Sequence, residues 1–407
     1  MLCTIVAVQR IFHVQTDLDF TCSLRHLVLP EFAQIEDCCV QVENTIYRGA
    51  GASREADLPT GFELKRTIAR LLDIRYDSFN DPFSPKSGDR AIAAAIVDYA
   101  KIQGKDPNYF LEGAWALGDA MPQAISIDNF IDAHSSNSGV VLFGKLGITQ
   151  AIIEAERKSK LYFDERPAQI SKFDHNKIED TWYMRFFQLL HENVRKDDVD
   201  RLFDNVSFVI FNYDRCIEHY LYHALQNYYG IPEAGAQELM QKITILHPYG
   251  VIGRLLWQDS RSYISFGGAL RNANLLDLAN QIRTFTERLE DGDAMLSAIR
   301  LQVHEAETIV FLGFAFHELN MQLLAPKTPA ATKRVFATAM GISNEDVQTV
   351  SRDVTDTLGR TGNLYVNIKN SLTCNALFCE WWRTLSRGLL SDDFGRMRRL
   401  AAALPLR

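Results

Sequence analysis

The stretch Thr45-Ile-Tyr47-Arg48-Gly49-Ala50-Gly51-Ala52-Ser53 decides the reading of the fold, together with Leu58-Pro59-Thr60-Gly61 and the helix-patterned run behind it. A short apolar step enters a glycine turn, and Phe62, Leu64, Ile68, Leu71 and Leu72 then fall largely on one helical face. This is the signature of strand, glycine loop, helix. Glycines without a Cβ let backbone N–H groups approach a pyrophosphate, and a following helix aims its positive end there. A tight β-to-α connection with Ser53 as a helix cap is the competing reading of the same residues.

Working outward, strand-like runs return at Val206-Ser-Phe-Val-Ile-Phe211, Ile243-Thr-Ile-Leu246 and Thr308-Ile-Val-Phe-Leu312. Short apolar runs bounded by polar or glycine residues are what a sheet buried on both faces requires. Helical patterns follow at 215–228, 276–290 and 317–324, which predicts an α/β alternation around a mostly parallel sheet. Between the first strand and the others, residues 76–200 open with a Pro/Ser/Asp-rich loop and continue in helix-like stretches. Ile148 to Phe163 and Asp180 to Arg195 are amphipathic, with Asp180 and Thr181 as candidate caps. The reading is a helical insertion at 76–200 that splits a sheet domain formed by 45–75 and 201–325. Residues 1–44 carry no sustained period and stay unassigned. Residues 326–407 are expected to form a mainly helical C-terminal segment, with Trp381 and Trp382 in a core and the arginines of the tail on a solvated face.

The composition narrows the function. The chain has 407 residues, 47% hydrophobic and 23% charged, so it can bury a large core. A formal charge of −8, from 43 basic and 51 acidic residues, disfavours the broad basic footprint of a nucleic-acid binder. The longest apolar runs, around Thr308 to Phe316, are strand-sized, so no membrane span is expected. Seven cysteines at 3, 22, 38, 39, 216, 374 and 379 suggest neither a disulfide framework nor paired zinc knuckles. With no signal-peptide pattern at the start, a cytoplasmic protein is expected.

In an open parallel sheet, ligands bind beyond the carboxyl ends of the strands. The four strand-like runs end in Gly49-Ala50-Gly51-Ala52-Ser53, Asn212-Tyr213-Asp214, His247-Pro-Tyr-Gly250 and Gly313-Phe314-Ala-Phe-His317. Asn212 at a strand end offers both a donor and an acceptor to the crevice, although Asn212 or Asp214 could equally cap the next helix. His247 has the chemistry of a general base near neutral pH, although one strand-end histidine is often structural. His219 and His223, spaced i, i+4, raise a metalloenzyme only weakly, because no third ligand is evident.

These four pieces, in this order, resemble the bacterial sirtuin-like proteins, a branch of the sirtuin NAD-binding fold. The resemblance spans roughly residues 45–325 and rests on Gly49 to Ser53 with Leu58 to Gly61, Phe211 to Asp214, Leu246-His247 with Gly250, and Phe311 to Asn320. It implies an α/β, Rossmann-like, mostly parallel sheet of sirtuin type with NAD+ bound as substrate across the switch point. Gly49, Ala50, Gly51, Ala52, Ser53 and Pro59 would hold the pyrophosphate side, and Gly313 and Phe314 the adenosine half. Asn212 would position the nicotinamide ribose or the attacking water, Asp214 would assist at the nicotinamide end, and His247 would act as base. Asp128, in Ser126-Ile-Asp-Asn-Phe130, resembles a residue that lends an acidic group to the pocket. The two cysteine pairs of the zinc module in deacetylating sirtuins have no counterpart here, so no metal and no deacylation are expected.

The resemblance therefore implies NAD+ hydrolysis with release of nicotinamide, as a regulated NAD-depleting effector in antiphage defence. Such an effector would act as a homo-oligomer under the control of a phage-derived or protein activator, without membrane or nucleic acid. The rival expectation is a non-catalytic NAD- or nucleotide-binding sensor that controls a partner protein.

Overall fold

The computed structural model describes residues 4–8, 43–76, 85–164, 172–259, 263–268, 274–284, 287, 289, 291–359 and 364–389. Strand β1 (Thr4–Val8) runs antiparallel against β2 (Glu43–Arg48), which leads into the short helix α1 (Ala50–Ser53) and then α2 (Gly61–Leu72). A small antiparallel pair, β3 (Arg75–Tyr76) and β4 (Pro85–Ser87), precedes α3 (Arg90–Gln103), α4 (Pro107–Ala120), α5 (Ile127–Ala133), α6 (Ser138–Lys158) and α7 (Trp182–His191). The α/β alternation resumes with β5 (Val206–Ile210), α8 (Cys216–Tyr229), α9 (Glu233–Met240), β6 (Thr244–Leu246), α10 (Leu275–Ala279), α11 (Ala294–Glu305) and β7 (Thr308–Leu312). It ends in α12 (Glu318–Leu324), β8 (Arg334–Thr338), α13 (Asn344–Thr357), β9 (Tyr365–Lys369), α14 (Cys374–Glu380) and α15 (Trp382–Leu389).

Strands β2, β7, β8 and β9 pair parallel in that order, with Ile46 opposite Val310 and Phe336 opposite both Val310 and Asn367. On the other side of β2 the pair β5–β6 continues the same sheet, and the Asn44 N–H donates to the Asn205 carbonyl just before β5 (3.2 Å). The order β6-β5-β2-β7-β8-β9 is that of a doubly wound, Rossmann-like sheet, in which the chain reverses direction of winding between β2 and β7.

Side chains alternate across the strands and feed two cores. Tyr47, Val209, Phe311 and Val335 face one layer, which contains α2 to α6. Ile46, Phe208, Ile210, Val310, Leu312 and Phe336 face the other, built from α7, α8, α9, α14 and α15. Every residue of β5 and β7 is buried, the polar Ser207 and Thr308 included, as strands covered on both faces require. The helices between residues 90 and 158 share the first core with the sheet and do not form a separate body. Helix α6 is long and apolar enough to cross a membrane by length and composition, yet it is a largely buried packing partner of α2, α4 and α10.

Several expectations change. Beyond residue 326 the described chain carries, besides α13, α14 and α15, two strands that the sequence reading did not expect, β8 and β9, which extend the parallel sheet. The edge strand β9 is half exposed and reads Tyr-Val-Asn-Ile-Lys, so it lacks the apolar run that marks a central strand. The helix expected over 276–290 stops at Ala279. Phe62 does not join Leu64, Ile68, Leu71 and Leu72 in the core: it is 55% exposed, with the Arg66 guanidinium 4.3 Å from its ring centroid. Two positions before Leu64 is roughly 200° around the helix, so the two side chains leave opposite faces. The start of α2 is set by a reciprocal capping box between Thr60 and Glu63.

Candidate functional site

The glycine loop leaves the carboxyl end of β2 and immediately meets the loop that leaves β7. The Gly49 N–H donates to the Leu312 carbonyl at 2.5 Å. A Cβ on Gly49 would lie 1.9 Å from the Gly313 carbonyl oxygen, and one on Gly51 would lie 2.9 Å from the Gly313 Cα. Gly313 itself has φ +57° and would place a Cβ 2.3 Å from the Ala52 nitrogen. Backbone therefore packs on backbone at the switch point, which only residues without side chains permit. Gly51 is exposed, whereas Ala50 and Ala52 are buried and the Ala52 carbonyl accepts from the Trp182 indole N–H at 2.9 Å. The Phe314 ring lies in the aromatic core with Phe311, Phe211 and Tyr47, at centroid distances of 4.9, 5.8 and 6.3 Å. Pro59 lines a surface groove of about 390 Å³ with Arg54, Asp57, Glu63, Thr67 and Lys158.

Below this loop sits a fully buried polar cluster. Arg48 Nη2 donates to Ser53 Oγ and to Asp214 Oδ1, both at 2.5 Å. Ser53 Oγ donates to Asp214 Oδ2 at 2.7 Å, and Asn212 Nδ2 donates to Ser53 Oγ at 2.9 Å and to Asp214 Oδ2 at 2.8 Å. The Ser53 hydroxyl thus uses its one proton and accepts twice, which exhausts its capacity. Asp214 also accepts from the amide of Cys216, the first residue of α8, at 3.2 Å, while the N-cap position of that helix is Arg215. Burial by itself would raise the Asp214 carboxyl, but the Arg48 charge and the hydrogen bonds from Ser53, Cys216 and Asn212 outweigh it and bring it down to about 2. The same carboxylate holds the Arg48 guanidinium above its ordinary value against the opposing effect of burial. Three buried atoms of this cluster have no hydrogen-bond partner: Asn212 Oδ1, Arg48 Nε and Arg48 Nη1. Asn212 Oδ1 is an acceptor and can take a hydroxyl or amide N–H donor.

His247 stands next to this cluster at the carboxyl end of β6. A turn fixes its backbone, closed by the Gly250 N–H on the His247 carbonyl (3.0 Å), with Gly250 at φ +73°. Its Nδ1 lies 3.4 Å from the Asn212 backbone carbonyl, and its Nε2 lies 2.7 Å from Glu218 Oε1. Asp128, in the first turn of α5, is linked to the same strand end through Tyr213, whose hydroxyl reaches Asp128 Oδ1 at 3.1 Å and the Arg283 carbonyl at 2.8 Å. Asp128 also lies near His317, where burial lowers the imidazole and the carboxylate counters that effect.

The structure thus brings Ser53, Asn212, Asp214 and His247 together, holds Asp128 one side chain away through Tyr213, and leaves Pro59 and Phe314 outside the polar cluster. Two participants carry no role in the sequence reading. Arg48 was visible as a charged residue at a strand end, and Glu218 lies in the first turn of α8, four positions after Asp214. His219 and His223 pack in an aromatic cluster: His219 stacks on Phe266 at 4.1 Å and its Nε2 meets the Leu161 carbonyl at 3.1 Å. Among the described residues no group of three or more His, Cys, Asp or Glu side chains could hold a metal ion. Of the cysteines within the described side chains, Cys216 and Cys374 are buried thiols and Cys379 is exposed, while those at 3, 22, 38 and 39 lie outside them. No family model, curated protein or solved structure matches the chain.

Proposed function

We propose that this protein is an NAD+ glycohydrolase. The observation that carries the reading is that Asn212, with its unpartnered buried carbonyl oxygen, and the His247 imidazole meet at the carboxyl ends of adjacent strands β5 and β6. Beside them lies the glycine contact at the sheet's switch point, where a doubly wound sheet takes a dinucleotide. Water would attack the anomeric carbon of the nicotinamide ribose. The C–N bond breaks, its electron pair neutralises the pyridinium nitrogen of the departing nicotinamide, and the water proton passes to a base. Asn212 is suited to hold the ribose or the water, and His247 to take the proton. The role of a regulated NAD-depleting effector in antiphage defence, acting as a cytoplasmic homo-oligomer, rests on the sirtuin-like pattern of the strand-end motifs.

The purified protein, incubated with NAD+ alone and with phage-derived proteins as triggers, should release nicotinamide. His247→Ala and Asn212→Ala should each lower that release by on the order of 10²- to 10⁴-fold, the contribution of a positioned general base and its partners. Release unchanged in both variants refutes these roles. The sensor reading has one observation in its favour: Ser53 and Asp214 spend their hydrogen-bonding capacity on each other and on Arg48. Tight NAD+ binding without release under every trigger would select it.

A further inference from the structure

Resting on the hydrolase reading, we infer that Glu218 is a positioning residue that fixes the tautomer of His247 and makes Nδ1 the nitrogen that accepts the proton. Glu218 Oε1 lies 2.7 Å from His247 Nε2, and the carboxylate is 3% exposed. A carboxylate only accepts, so a proton must sit on Nε2 to satisfy this contact. The contact of Nδ1 with the Asn212 carbonyl is 3.4 Å, at the edge of hydrogen-bonding range and far weaker than the Glu218 bond. A neutral ring therefore carries its hydrogen on Nε2 and its lone pair on Nδ1, on the side of Asn212. That is the side where the reacting water or ribose hydroxyl would stand.

The proton balance follows. As the water oxygen bonds the anomeric carbon and nicotinamide leaves, one water O–H bond breaks and an Nδ1–H bond forms. The ring becomes an imidazolium whose charge is held against the buried Glu218 carboxylate. A carboxylate that orients an imidazole and stabilises its cation is worth orders of magnitude in turnover in the serine hydrolases, where the amide replacement loses activity through the wrong tautomer. The competing explanation is that Glu218, in the first turn of α8, serves only the helix N-terminus.

Glu218→Gln separates these explanations. Its amide can donate to Nε2, which moves the ring hydrogen to Nδ1 and removes the base's lone pair. The variant is isosteric, and far-UV circular dichroism together with the melting temperature should confirm its folding, with Glu218→Asp as a second variant. ¹⁵N spectra of histidine-labelled protein, with His247 assigned by its loss in His247→Gln, should show an Nε2–H tautomer in the parent and an Nδ1–H tautomer in Glu218→Gln. The kcat for nicotinamide release should fall by on the order of 10²- to 10⁴-fold with KM for NAD+ changed only a few-fold, and Glu218→Asp should recover part of it. An unchanged His247 tautomer, or full turnover with the tautomer reversed, overturns the inference. A reversed tautomer in a protein whose parent never releases nicotinamide leaves the positioning role standing and defeats the hydrolase reading instead.

Discussion

Asp214 shows how one residue can serve fold and site together. Its carboxylate is buried against Arg48 and stays ionised because four hydrogen-bond donors surround it. A carboxyl held at about 2 when folded, against an ordinary value of 3.8, favours the native state above pH 4, on the order of 2 kcal/mol. That stabilisation is lost as the pH falls from 4 towards 2, because the unfolded chain takes up the proton first. Asp214→Asn should therefore be less stable than the parent at pH 7 by at least about 2 kcal/mol, with the unpaired Arg48 charge adding to the cost. The gap, read from urea denaturation, should narrow at pH 2.5. A gap independent of pH would mean that the ion pair contributes nothing. Arg48 was readable only as an anomaly, a cation at the end of an apolar strand, since its partner lies 166 positions away.

At the scale of elements, the glycines divide into those that the local turn requires and those that a neighbouring loop requires. Gly104 ends α3 at φ +62° with nothing within 4 Å of an added Cβ. Gly104→Ala should cost about 1 kcal/mol, the left-handed backbone penalty. Gly49 has extended backbone geometry, φ −107° and ψ 176°, so any residue could adopt it, yet its Cβ would strike the Gly313 carbonyl. Gly49→Ala must push two loops apart and should cost at least twice as much as Gly104→Ala, measured by melting temperature. Equal losses would show that the β2 and β7 loops are not in contact. Glu55 ties further elements to this loop: its carboxylate accepts from the Trp182 amide at 2.6 Å and from the Asn375 amide at 2.8 Å, at the starts of α7 and α14.

Across the whole molecule, the parallel sheet runs on without a break into two last strands, β8 and β9, that come from a segment that reads as separate. Val335 and Ala337 face one core, Phe336 faces the other, and all three are buried. A chain ended at Ala325 loses β8, β9 and α14 and bares the edge of β7, whose five residues are all buried in the intact protein. It should fail to fold, appearing as insoluble protein or as loss of the cooperative thermal transition. Retention of a sharp transition would mean that residues 326–407 form an independent unit.

The α/β alternation, the central strands β5 and β7 and the glycine loop were legible from sequence because burial on both faces leaves a short, predominantly apolar run without polar alternation. The strand ends then marked Ser53, Asn212, Asp214 and His247 as neighbours, since the sheet's topology brings carboxyl ends together whatever the distance along the chain. The edge strand β9 left no such pattern, because a half-exposed strand needs only a few apolar residues. Which polar group answers which was decided by tertiary structure alone. Arg48 meets Asp214 and Glu218 meets His247 because buried charges and donors must find partners in space, and that requirement leaves no period in the sequence.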